Sequence, residues 1–154
     1  MQKMRKKRLI SQRKYFRINM QNFIELRLYA DQKEKICYEF QPVRRNSAPD
    51  WNPQWEEWHS YTGPLRIYQT DFERLLKKYI SALFPTADAC DGTELTEFDF
   101  CFDNWLSETD YQKLIKLIQE DQILPEQKEF YDLFLHWLKH ALEQRNIIVI
   151  ESNL

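Results

Sequence analysis

The chain has 154 residues, is 43% hydrophobic and 15% aromatic, and carries a formal net charge of −2. That is long enough for one domain with a substantial core and too aromatic for a disordered main body. Two glycines, Gly63 and Gly92, are too few for a phosphate-cradling loop, which needs several so that backbone amides can reach the ligand, and this argues against a nucleotide-dependent enzyme.

The charge is unevenly spread. Of the 22 Lys and Arg, eight fall in residues 1–17, MQKMRKKRLISQRKYFR, leaving 14 against all 24 Asp and Glu. Residues 1–19 are therefore read as a basic leader and residues 20–154 as a single domain. Three readings of the leader stand side by side. It binds nucleic acid or another anionic surface, it folds back on the acidic body, or it is upstream sequence with Met20 as the working start. No apolar segment of the kind that marks a secretory signal follows it. No run of about 18 apolar residues occurs either, so no membrane span and no membrane partner are expected.

In Phe23–Ala30, Ile24, Leu26 and Leu28 share one face; in Lys35–Val43, Ile36, Tyr38 and Phe40 do. Two alternating runs joined by the polar link DQKE predict a β-hairpin. Pro42 cannot donate to a ladder, so the second strand should end or lie at an edge there. Residues 44–53 hold two prolines and several turn formers and read as a loop. Trp51, Trp55 and Trp58 fall at i, i+4 and i+7, which suits one face of a short helix. WEEWHSY fits a strand running into the TGP turn equally well. These tryptophans suit core anchors and interface anchors alike.

Leu65–Gln69 predicts a short strand. Thr70 to Glu73 has the capping-box pattern, and Phe72, Leu75, Leu76, Tyr79, Ile80 and Leu83 predict a helix of about 14 residues that stops before Pro85. After Asp91-Gly92 comes ELTEFDFCFDNW, residues 94–105. Phe98, Phe100 and Phe102 alternate with Glu97, Asp99, Cys101 and Asp103. Strict alternation predicts a half-buried strand with the phenylalanines inward and the acids in an outward row, roughly 7 Å apart. From Tyr79 to Gln112 there are eight acidic residues and no Lys or Arg. Such a block is a solvated surface or a docking face for a basic protein.

Ser107 to Asp110 should cap the next helix, with Tyr111, Leu114, Ile115 and Ile118 buried. Pro125 suits the first position of a third helix, whose apolar face includes Phe130, Phe134, Trp137, Leu138 and Ala141. NIIVIES reads as a buried strand. The predicted fold is α+β: a mostly antiparallel sheet with three α-helices packed on it, in a single domain.

Catalytic chemistry finds little support. Asp132, His136 and His140 fall at i, i+4 and i+8, a spacing that can chelate a metal, but on the face opposite Phe134 and Trp137, beside Lys139; a solvated polar face fits better. Neither Cys101 with His59 nor Cys90 sits in a nucleophile motif. Asp99 and Asp103 could serve hydrolysis or hold Mg²⁺, without a glycine loop or basic residue to assist. No catalytic residue, metal or cofactor is assigned. Three scattered cysteines, Cys37, Cys90 and Cys101, argue for free thiols in a reducing cytosol, hence a cytoplasmic protein.

The small α+β body, low pI, scattered cysteines and acidic-aromatic run EFDFCFDNWLSETD together resemble the immunity proteins of bacterial contact-dependent growth inhibition and related polymorphic-toxin systems, over Met20 to Leu154. The resemblance implies a protein that binds and neutralises one cognate toxin, often a nuclease, by occlusion rather than turnover. Asp91, Glu94, Glu97, Asp99, Asp103 and Glu108 would meet the toxin's basic cleft, with Trp105 and Trp58 as apolar anchors. The chain is then expected to be a monomer or weak homodimer. Two other classes remain: a nucleic-acid accessory protein acting through residues 1–17, and a hydrolase using the carboxylate row.

Overall fold

Four consecutive buried residues, Ile147 to Ile150, have no polar face to show to water. They can be satisfied only in the middle of a sheet, and that is where they lie. The computed structural model describes residues 23–153; the basic leader falls outside them. Strand β7 (Ile147–Ser152) runs between β2 (Cys37–Val43) and β6 (Asn104–Ser107), and the sheet continues beyond β2 through β3 (Leu65–Tyr68) to β1 (Ile24–Leu26). Neighbours are antiparallel except β1 and β3, which are parallel. Two further short strands, β4 (Thr86–Ala87) and β5 (Glu94–Leu95), form a separate small ribbon.

Alternation along each strand divides the sheet into two faces. Leu26, Tyr38, Phe40, Leu65, Ile67, Leu106, Ile148 and Ile150 form one. Three long helices cover it: α2, residues 69–81; α3, Glu108–Glu120; and α4, Lys128–Gln144, entered through a 3₁₀ turn, Pro125–Gln127, with Pro125 first as expected. Phe72, Leu75, Leu114, Phe134 and Leu138 from these helices are fully buried against the sheet. The middle of α2, Phe72–Leu76, is a π-helical turn. Residues 55–58 settle the open reading as helix: Trp55–Trp58 forms one turn. With it the described residues form four helices rather than three; we number this turn α1.

The predicted hairpin does not form. Strand β1 pairs with β3, which separates it from β2. The reason lies in Asp71, a carboxylate with no exposure to solvent. It accepts the backbone N–H groups of Leu28 (2.8 Å), Tyr29 (2.6 Å) and Ala30 (3.2 Å). Those amides cannot also serve a ladder, so the strand ends after three residues. Thr70 differs as well. The helix begins two residues earlier, with Tyr68 at the cap position, and the N–H and hydroxyl of Thr70 both donate to Glu34. The cap thus comes from the loop before β2, not from within the helix.

Pro42 lies inside β2 without breaking it. The carbonyl of Val43 and the N–H of Cys37 point toward the β7 side, so Pro42, one residue out of phase, faces β3. The β2–β3 pairing stops at Phe40–Leu65, and no ladder calls for an N–H there. Ser107 caps α3 as expected: its Oγ accepts from the Asp110 N–H (3.2 Å) and its own N–H donates to Asp110 Oδ2 (3.0 Å).

The largest correction concerns residues 94–105. Only the two ends are strand; residues 96–103 form a loop. Asp99 Oδ1 accepts from the N–H groups of Cys101 (2.8 Å) and Phe102 (3.1 Å), while the Asn104 side chain accepts from the Asp99 N–H (2.9 Å) and donates to the Asp99 carbonyl (2.8 Å). Side chains here take the backbone groups that a ladder would use. Phe98 is buried, Phe100 half-buried, and Phe102 is 73% exposed. The outward row of carboxylates does not exist.

Cys37 is buried, Cys90 half-buried and Cys101 exposed, all free thiols. Burial pushes the Cys37 thiol up to about 11. At pH 8 a thiol-alkylating reagent should therefore modify Cys101 readily and Cys37 only upon unfolding; timed labelling with peptide mapping checks this, and equal rates would contradict the assigned burial.

Candidate binding face

Among the described residues, no long helix lies over the second face of the sheet. Strand register sets a line of charge across it. Glu25 stands opposite Arg66, Arg66 opposite Glu39, and Glu39 opposite Glu151. Asp103 continues the line, since the next residue, Asn104, pairs with Ile150. The row is thus Glu25–Arg66–Glu39–Glu151–Asp103, four carboxylates and one guanidinium. Glu39 and Glu151 are directly opposed like charges, an arrangement that destabilises a sheet unless compensated.

At the β1–β3 end compensation is complete. Arg66 donates to Glu39, and its guanidinium lies 3.8 Å from the Phe23 ring centre. The Tyr68 hydroxyl donates to Glu25 (2.8 Å), and Arg27 stacks on the Tyr68 ring (3.6 Å). Gln41 donates from Nε2 to Glu39 (2.6 Å). Gln41 is 3% exposed, and its Oε1 has no hydrogen-bond partner.

At the β7–β6 end the helical turn α1 folds over the sheet. Trp58 packs with Val43, Ile147 and Val149 and lies 5.1 Å from the Trp105 ring; Trp51 meets Trp105 from another side at 6.1 Å. His59, next in sequence, stacks on Trp55 (3.9 Å) and also touches Trp58 (3.7 Å). Its Nδ1 is 2.8 Å from the Trp55 carbonyl and its Nε2 is 2.7 Å from Glu151. A carbonyl only accepts, so Nδ1 is the donor to Trp55, and Nε2 faces the Glu151 carboxyl. Burial pushes the Glu151 carboxyl up while His59 draws it back down. Asp103 is likewise pushed up by burial and drawn down by His59. Among the described residues, no guanidinium pairs with Glu151 or Asp103.

The residues expected to bind a partner are therefore distributed as follows. Trp58, Trp105 and Asp103 come together here. Trp58 is buried and Trp105 half-buried, so both are packing residues first. Among the described residues the strongly exposed aromatics are Trp55, at 62%, which the sequence offered as a core or interface anchor, and Phe102, which it placed inward. Asp91 and Glu94 lie on the β4–β5 ribbon and its turn, where Asp91 accepts from the Thr93 N–H (3.0 Å) and hydroxyl (2.8 Å). This turn adjoins the sheet through the Ala89 N–H to the Trp105 carbonyl (2.9 Å). Glu97 and Glu108 are exposed, Glu97 in the 96–103 loop and Glu108 in the first turn of α3. Asp99 is committed to its turn.

Elsewhere, Asp132 pairs with Lys128 (2.6 Å), and His136 joins Lys139, Tyr131 and Leu135 along a groove of about 620 Å³ between α3 and α4. Among the described residues, no group of three or more His, Cys, Asp or Glu is placed to hold a metal, and no helix is long and apolar enough to cross a membrane. Comparison with protein-family models, curated proteins and solved structures finds no match for this chain.

Proposed function

We propose that this protein is a toxin-neutralising binding protein of the immunity type, which occludes a basic partner, of the nuclease kind, in the cytoplasm of the cell that makes it, without turnover of its own. One observation carries the reading: two strongly exposed aromatics, Phe102 and Trp55, accompany a carboxylate pair, Asp103 and Glu151, that no guanidinium of the described residues joins. A partly buried carboxylate gains from an incoming Lys or Arg. An exposed ring offers the apolar anchor that charge alone does not supply. The exposed acids Asp91, Glu94, Glu97 and Glu108 extend the negative surface and would steer a basic partner.

The test is binding kinetics against a basic nuclease toxin domain. Phe102→Ala should speed dissociation by about tenfold or more, as loss of a desolvated anchor does. Glu94→Lys with Glu97→Lys should slow association at low salt, and that slowing should shrink toward 1 M salt, where the Debye length falls to ~3 Å. Unchanged rates in both variants, or no complex at all, would refute the reading.

A further inference from the structure

We infer that two copies of this chain join through the outer edge of β1, antiparallel and centred on Leu26, so that the sheet of one copy continues into the sheet of the other. Strand β1 ends the sheet: β3 lies on one side of it, and among the described residues no strand lies on the other. The Ile24 N–H donates to the Pro64 carbonyl (2.8 Å) and the Leu28 N–H to Asp71 (2.8 Å). Residues 24, 26 and 28 therefore turn their backbone groups toward β3. Alternation then aims the N–H and C=O groups of Glu25 and Arg27 outward. Such an edge is a template for a further strand.

The order of charge along this edge selects a second copy as that strand. Antiparallel pairing about Leu26 sets Glu25 opposite Arg27 of the other copy, and Arg27 opposite its Glu25. These are the two residues whose backbone groups face outward, so each pair exchanges both ladder bonds with opposite charges aligned. Centring on Glu25 or on Arg27 would set each against itself, a like-charge contact. The charges set register rather than affinity, because within one chain Glu25 already accepts from the Tyr68 hydroxyl and Arg27 stacks on the same ring. Apolar area comes from the other face. Ile24, which would meet Leu28 of the second copy, is exposed, as are Leu28 and Leu133. Helix α4 packs on β1. One turn after Leu133, Trp137 donates to the Gly63 carbonyl (3.0 Å), and Ile24 lies beside Gly63. Leu133 thus flanks the same edge. A two-fold axis through Leu26 keeps the helices of both copies on one side of the joined sheet and brings these apolar side chains together. Strands β1 and β6 are opposite edges, so the candidate face at the β7–β6 end stays open in both copies, and the inference does not rest on what binds there.

Sedimentation equilibrium of the full chain over a wide concentration range, with amide hydrogen exchange at both ends of it, tests this. The weight-average mass should rise toward that of two chains. Protection of the Glu25 and Arg27 N–H groups should rise with it, while Ile24 and Leu26 stay protected throughout. Glu25→Arg and Arg27→Glu, each checked for parental far-UV circular dichroism, should weaken self-association about tenfold or more, since opposed charges become like ones. An equimolar mixture of the two variants should restore it, each supplying the charges that the other lacks. A monomer at every concentration, or a dimer whose Glu25 and Arg27 amides stay unprotected, would overturn the inference. Full protection of those amides in the dilute monomer would mean that the chain itself occupies the edge, and would overturn it equally. A mixture that associates no better than either variant alone would overturn the register.

Discussion

Replacing Asp71 with alanine is expected to lower the unfolding free energy by about 3–5 kcal/mol. Its carboxylate accepts three backbone N–H groups, from Leu28, Tyr29 and Ala30. A buried donor left without an acceptor costs roughly 1–3 kcal/mol, and some of the three would recover water because their surroundings are half-buried. The loss should lower the thermal midpoint by roughly 10 °C in a chain of this size. Hydrogen exchange at residues 28–30 should rise with it. Asp71→Asn should cost less, since one acceptor oxygen is kept. The two variants also separate charge from geometry. Burial pushes the Asp71 carboxyl above its ordinary value, more than the three N–H donors pull it back. The native state then holds that proton more tightly than the unfolded state. Stability contributed by this group is full below the ordinary carboxylate value and falls as pH rises through the raised one. Urea titrations across that window should show the slope in the parent and not in Asp71→Asn. A loss under about 0.5 kcal/mol in Asp71→Ala, the usual range for a surface change, would show that the carboxylate does not hold the 28–30 turn.

Phe98→Ala should cost about 3–4 kcal/mol, while Phe102→Ala should leave stability nearly unchanged. Phe98 is buried among Phe72 (5.5 Å between ring centres), Tyr38 (6.1 Å), Phe84 (6.2 Å) and Phe100 (5.0 Å). Phe102 projects from the far side of the Asp99 turn into solvent. A regular strand would bury both equally, so denaturant midpoints of the two variants decide between strand and loop. Equal losses would restore the strand.

These two sites also show what could be read from sequence and what could not. The helix stripes of α2, α3 and α4, the Ser107 cap, Pro125 and the apolar run of β7 were legible because each is a local pattern with a period or a capping residue behind it. The 96–103 loop was not. Its alternation is that of a strand, and what undoes it is Asp99 and Asn104 bonding to backbone at close range. The register of β1 was hidden for a different reason, since Asp71 lies more than 40 residues away from the amides it holds. At the candidate site, Trp58, Trp105 and Asp103 could be named from composition, but not the His59–Glu151 contact, which spans 92 positions. Nor could the charged row, which exists only once five strands are in register.

The place of β7 has a kinetic consequence. Strands β2 and β6 have no contact in the sheet except through it, and its pairs with β2 join residues more than 100 positions apart. Closing so long a loop before any ladder can form makes for a high contact order and slow folding. Until residues 147–152 insert, β2 and β6 each present a row of open hydrogen-bonding groups, the kind of edge on which aggregation is templated. A proteolytic cut ahead of Ile147 would leave the protein in that condition permanently, with the helices in place and the sheet in two halves.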